Sequence, residues 1–107
     1  MKYEEIVDII KKANENADAS HIKEHVAIEI DVRGEGEGAL YLEIKGGQIF
    51  VEPYEYYERD AIVTTSAEMA IAFATGQMKL EYAYNNNLIH FRGMLDKAYL
   101  WDEIIRS

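Results

Sequence analysis

His21 and His25 stand four residues apart, a spacing that on a helix would bring two imidazoles to one face and could hold a metal ion. Val26 opens an alternating, strand-like run directly after them, so the two rings are not expected to share a helical face. No metal site is expected. His90 falls on the outward side of a later alternating run, where solvent or an acid is its expected neighbour. Gly34, Gly36 and Gly38 lack the third-glycine spacing of a dinucleotide loop and lead into a strand, so a turn is expected. Glu35 with Glu37, and Asp60, could serve as general acids or bases. Spacing places no histidine or nucleophile beside them, and solvated charge is the expectation. Tyr54, Tyr56 and Tyr57 alternate with Glu52, Glu55 and Glu58 in an acidic aromatic loop. Such a loop could form a partner contact or a tunnel rim. The preferred expectation is an edge strand and loop whose tyrosines cover the core. No catalytic group and no cofactor is expected, so the chain does not read as an enzyme.

Composition narrows the classes further. With 107 residues, one domain spanning 1–107 is expected, and 49% apolar residues can fill its core. No cysteine is present, which removes disulfides, thiolate nucleophiles and cysteine-based zinc sites together. Twenty acidic against eleven basic residues give a formal charge of −9, a field that repels phosphate backbones and anionic lipid surfaces. Nucleic acid is therefore not an expected partner, and stable membrane insertion is not expected either. The first residues, Met1 to Glu5, lack the apolar middle of a signal peptide, so a cytoplasmic location is expected.

The elements that would position any site are legible from periodicity. Tyr3, Ile6, Val7 and Ile10 follow helical spacing, with acids early and Lys11 and Lys12 late. The period then changes to two: Val26, Ile28, Ile30 and Val32 mark one strand, and Leu40, Leu42 and Ile44 a second. Gly46-Gly47 is a hairpin signal leading to a third strand at Gln48 to Glu52. A fourth strand is expected at Ala61 to Thr64. Thr65 with Glu68 reads as a capping box for a helix whose apolar side is Met69, Ala70, Phe73 and Ala74, with Gly76 after its end. A short helix is expected over Met78 to Tyr84, and Asn87 is a candidate for the left-handed conformation. Ile89 and Phe91 share one face of a last strand. Met94, Leu95, Ala98, Trp101 and Ile105 then form the stripe of a terminal helix.

The second half of the chain carries a more specific pattern. Asp60 opens a strand running to Ser66 at a helix start. Phe73-Ala74-Thr75-Gly76-Gln77-Met78 closes that helix, and Ala83-Tyr84 follows. Asn87-Leu88-Ile89-His90-Phe91-Arg92-Gly93 then precedes the terminal helix. This order resembles the sterol carrier protein 2 family over most of the chain after about His25. Gln77 stands where the family usually has lysine, Leu80 where proline is frequent, and Asn87 in place of a glycine. Leu88 and His90 replace polar, often basic positions. The resemblance implies an α+β fold with a five-stranded, mostly antiparallel sheet in the order 3-2-1-4-5 and helices packed on one face.

It also implies a binding role, with a hydrophobic small molecule or lipid as partner: a fatty acid, an acyl-CoA or a sterol-like lipid. The expected apolar wall comprises Ile44, Met69, Phe73, Met78, Ile89, Phe91, Met94, Leu95 and Trp101. Methionines suit ligands of irregular shape because the side chain is unbranched and polarizable. Burying about ten methylenes at roughly 0.8 kcal/mol each would supply about 8 kcal/mol, roughly micromolar affinity before ordering costs. Taken alone, each of these residues is more often ordinary core, and only the resemblance points to a void. The alternative reading is therefore an interaction module with the same fold and a closed core, which could act as a homodimer.

Overall fold

The structure, a computed structural model, describes residues 1–55 and 57–104. Tyr56 and Ile105, named above, therefore lie outside the described residues. A first helix, α1 (Tyr3–Asn14), precedes three strands: β1 (Val26–Val32), β2 (Gly38–Lys45) and β3 (Gln48–Glu52). Then come β4 (Ala61–Thr65), α2 (Ala67–Ala74), α3 (Leu80–Asn85), β5 (His90–Gly93) and α4 (Leu95–Ala98). α4 continues as a 3-10 helix, Tyr99–Glu103.

The five strands form one sheet in the order β3-β2-β1-β4-β5. Every neighbouring pair is antiparallel except β1 and β4, which run parallel. Alternation sorts the side chains. Val26, Ile28, Ile30 and Val32 of β1, Leu40, Leu42 and Ile44 of β2, and Ala61 and Val63 of β4 fill the core beneath the helices. α1 adds Ile6, Val7 and Ile10 and lies against β3 and α2. At the β2–β3 hairpin Gly46 and Gly47 take φ of 59° and 77°, conformations that glycine adopts without steric cost. Asn87 also adopts the left-handed conformation expected of it, with φ 58°.

Three local expectations need correction. The cap of α2 is Ser66, whose hydroxyl accepts from Met69 N at 3.2 Å, rather than Thr65. Strand alternation explains the shift: Thr65 is still paired with Val32, on the core side of β4, and Ser66 is the first residue free of the strand. The short helix starts at Leu80 rather than Met78. The terminal stripe is not one α-helix but four α-helical residues followed by a 3-10 helix. That tightening brings Ile104, 5% exposed, into the core after Trp101.

Asp60 is the larger correction, because its carboxylate is not a solvated charge. One oxygen accepts from Ala27 N at 2.8 Å and the other meets Lys97 Nζ of α4 at 3.3 Å. Its own backbone N donates to the Ala27 carbonyl at 2.8 Å, and its carbonyl accepts from Met94 N at 3.0 Å. Lys97 Nζ also donates to the His25 carbonyl at 3.0 Å. One residue thus ties β1, β4 and the start of α4. Replacing Asp60 with alanine should lower the unfolding free energy by about 2 to 4 kcal/mol, because the buried Ala27 N–H loses its acceptor and the Lys97 ammonium is left with the His25 carbonyl alone. Asp60→Asn, which keeps one acceptor, should cost less. An unchanged urea midpoint for Asp60→Ala would show that this junction contributes nothing to stability.

Candidate functional site

α2 ends in a motif that shapes its surroundings. Thr75 is the last helix-like residue, and its hydroxyl donates back to the Ile71 carbonyl at 2.8 Å. Gly76, with φ 80°, turns the chain so that its N–H reaches the Phe73 carbonyl at 3.2 Å and Gln77 N reaches Ala72 at 2.9 Å. The chain then crosses to α3, whose first amides have no side-chain cap of their own. Asp102 of the terminal 3-10 helix supplies it: its two oxygens accept from Leu80 N at 2.6 Å and Glu81 N at 3.1 Å. Burial raises the Asp102 carboxyl above its usual range, and those two backbone bonds oppose the rise.

Between these elements lies an open pocket of about 290 Å³, lined by Phe73, Thr75, Gly76, Met78 and Lys79 on one side and Asp102 and Ile104 on the other. Phe73 continues inward to Trp101, the ring centroids 6.0 Å apart in an edge-to-face arrangement. The lining is more polar than apolar, with Phe73, Met78 and Ile104 as its apolar members beside Thr75, Lys79 and Asp102.

The structure brings Phe73 and Met78 onto this pocket, with Trp101 behind them. Ile44, Phe73 and Trp101 belong to the buried core, while Met69, Met78, Ile89 and Phe91 pack against it half-buried. Phe91 stacks edge-to-face on Tyr84 at 5.7 Å. Ile89 lines a different pocket near the end of β4. Leu95 opens α4 half-buried, and Met94 just before it is 53% exposed.

The two early histidines have separate partners. His21 Nε2 lies 2.9 Å from the Glu103 carbonyl, and His25 Nε2 lies 2.6 Å from Glu43 Oε2. Among the described residues no group of three or more potential ligands is placed to hold a metal ion. No helix of the described residues is long and apolar enough to cross a membrane.

Two carboxylates that sequence reasoning passed over lie on the sheet's other face. Glu29 sits mid-strand in β1 and is 5% exposed, with Asp31 beside it. Burial is the main cause that pushes the Glu29 carboxyl up to about 7; hydrogen bonding to Asp31 and the Asp31 charge add to it, and Arg59, at 3.5 Å, opposes it. The nearby ring of Tyr41 packs edge-to-face on Tyr54 at 5.5 Å, so part of the tyrosine loop covers this face. The available signal was position: an acid at the centre of the middle strand is flanked on both sides.

Compared with known families, residues 6–105 match the SCP-2 sterol transfer family. Among solved structures, the fold is similar to that of palmitated SCP2L2 from Aedes aegypti, with a TM-score of 0.65 at 19% identity, covering 96% of this chain and 93% of that one. It is also similar to a UbiJ-SCP2 ubiquinone synthesis protein, with a TM-score of 0.59 at 13% identity, covering 73% of this chain and 66% of that one. Part of the sec-alkylsulfatase Pisa1 from Pseudomonas sp. has the same fold, with a TM-score of 0.64 at 11% identity. That match covers 94% of this chain and only 14% of the sulfatase. The chain thus spans less than two thirds of the latter two proteins. No curated protein sequence matches it.

The acid pair generates a pH dependence. An unfolded Glu29 ionises near its ordinary value of 4.5, whereas the folded one holds its proton up to about 7. Its stabilising contribution is therefore complete below the unfolded value and is lost as pH rises through the folded one. Urea denaturation should show stability falling by about 1 to 3 kcal/mol on this account between pH 5 and pH 8. Glu29→Gln should flatten that decline and be more stable than the parent at pH 8. Parallel curves for the two proteins would contradict the assignment.

Proposed function

This chain belongs to the SCP-2 sterol transfer family, and on that premise we propose that it binds and carries a hydrophobic ligand without catalysis. The ligand is a fatty acid, an acyl-CoA or a sterol-like lipid, held between the sheet and the helices. The observation that carries the reading is the family match over residues 6–105, nearly the whole chain. The pocket at Phe73, Met78 and Ile104 supplies a way in: its floor leads through Phe73 to Trp101.

The core beneath the sheet is filled, with Ile28, Ile30, Leu42, Ile44 and Val63 all fully buried. A ligand chain therefore lodges by parting the terminal 3-10 helix from α2, not by dropping into a preformed tunnel. Lys79 and Thr75 at the rim give a carboxylate or other polar head somewhere to rest. Lipid entry would change the surroundings of the indole of Trp101, which is 1% exposed.

Titration with a fluorescent fatty acid should show saturable binding, a shift in Trp101 emission and a raised melting temperature, since a ligand that binds only the folded state stabilises it by mass action. Met78→Glu alters a half-buried rim residue and should weaken that binding at least about tenfold by placing a charge against the acyl chain. If fatty acid, acyl-CoA and sterol all leave the melting temperature and Trp101 emission unchanged, the carrier function is refuted.

A further inference from the structure

A second pocket, of about 340 Å³, opens where β4 ends and β5 begins. Its chemistry differs from that of the rest of the molecule. Arg33 and His90 line it together with Thr64, Thr65 and Asn87, and among the described residues no carboxylate does, although the chain carries a formal charge of −9. By contrast, the pocket between α1 and β3 sets Lys11 and Lys12 beside Asp8, Glu15 and Glu52. A further pocket at the β1–β2 end is lined by Asp31, Glu37 and Glu55 as well as Arg33.

Backbone geometry fixes the donors in place. Arg33 leaves β1 with its N–H on the Thr65 carbonyl at 2.9 Å, which anchors the base of its side chain at the rim. Its guanidinium meets Asp31 only loosely, at 3.9 Å, with Glu37 and Glu55 lining the space beyond, and it is 64% exposed. Thr64 and His90 are cross-strand partners at the end of the β4–β5 ladder. Thr65 is 7% exposed, and its Oγ1 is buried without a hydrogen-bond partner among the described residues. Thr65 therefore contributes its backbone to this corner, and the hydroxyl that shares a face with His90 is that of Thr64.

The remaining wall is apolar. The left-handed turn at Asn87 delivers Leu88, 49% exposed, and then Ile89 to the pocket. Cationic and hydroxyl donors thus face the same space as two aliphatic side chains.

We propose that this pocket binds an oxyanion, a carboxylate or a phosphate, through Arg33, His90 and the Thr64 hydroxyl. The planar guanidinium matches either group in a forked geometry. Leu88 and Ile89 favour an anion carried on an apolar stem, the head of an amphiphile, over a free inorganic ion. The site is distinct from the pocket at Phe73 and Met78, and it stands whether or not that one takes a lipid.

Four probes test it by titration of the full chain, read by backbone-amide NMR shifts and calorimetry: acetate, octanoate, inorganic phosphate and octyl phosphate. Saturable shifts at Thr64, Thr65 and Asn87 to His90 are expected. Arg33→Gln, an exposed change that should leave the melting temperature unaltered, should weaken binding at least about tenfold, the usual loss for a hydrogen bond to a charged group. Lys79→Gln, in the other pocket, should leave these shifts intact. Tighter binding of the octyl probes than of their short counterparts identifies a lipid head group as the source. Equal affinity for phosphate and octyl phosphate identifies free phosphate, and both results uphold the oxyanion site. Absence of saturable shifts at these amides with all four probes, or undiminished affinity in a folded Arg33→Gln, overturns it.

Discussion

The junction at Asp60 is the constraint on which the remaining architecture depends. A parallel pair inside an otherwise antiparallel sheet has no hairpin to set its register, so β4 must be placed beside β1 by contacts made after a long return of the chain. Asp60 makes those contacts at the first turn of the pairing, through its backbone and both carboxylate oxygens to Ala27, Met94 and Lys97. With that corner fixed, Ile28 faces Ala61 and Ile30 faces Val63, and both rows point into the core. A slip of one residue would turn Ile62 and Thr64 inward instead. Gly93 belongs to the same corner: at φ 115° it lies against the Asp60 carbonyl, where a Cβ would collide with backbone.

The same register decides what happens on the opposite face. Because β1 is the middle strand, its outward residues are flanked by β2 and β4, and Glu29 loses water that an edge residue would keep. Its elevated proton affinity is thus a consequence of strand order. Arg59, on the segment just before Asp60, compensates part of that cost. The return segment therefore acts on both faces of the sheet: its end sets the register, and Arg59 meets Glu29 while Tyr54 packs on Tyr41 beside it.

Much of this was legible in the residues. Strict alternation marked β1, β2 and β3, the Gly46-Gly47 pair marked their tightest turn, and the resemblance carried by the second half supplied the strand order. What escaped was side-chain chemistry acting over long sequence separations. Asp60 read as a lone acid because its partners, Ala27 and Lys97, lie 33 and 37 residues away. Asp102 drew no notice because the helix it caps begins 22 residues earlier. Thr65 and Ser66 are both competent caps by type, and only the strand pairing that occupies Thr65 decides between them. For the site, residue type identified Phe73, Met78 and Trp101 as apolar and helical, but their meeting depends on how the terminal segment folds back. Arg33 and His90 gave no local sign of proximity, since β1 and β5 meet only through β4.

A filled core and a lipid-carrying role are reconcilable on energetic grounds. Parting the terminal 3-10 helix from α2 separates Phe73 from Trp101, an aromatic pair worth about 0.5 to 1.5 kcal/mol beyond its buried area. It also releases the Asp102 cap on α3, two bonds to a charged acceptor at about 1.5 to 3 kcal/mol each. Burying about ten methylenes returns about 8 kcal/mol. Under the proposed carriage that gain is of the same order as the cost of opening, before the ordering costs of association. A 3-10 helix would part more readily than an α-helix of equal length, because its hydrogen-bond geometry is poorer. On the proposed reading a ligand with half as many methylenes would gain about 4 kcal/mol, at the low end of the cost of displacing both the cap and the aromatic pair.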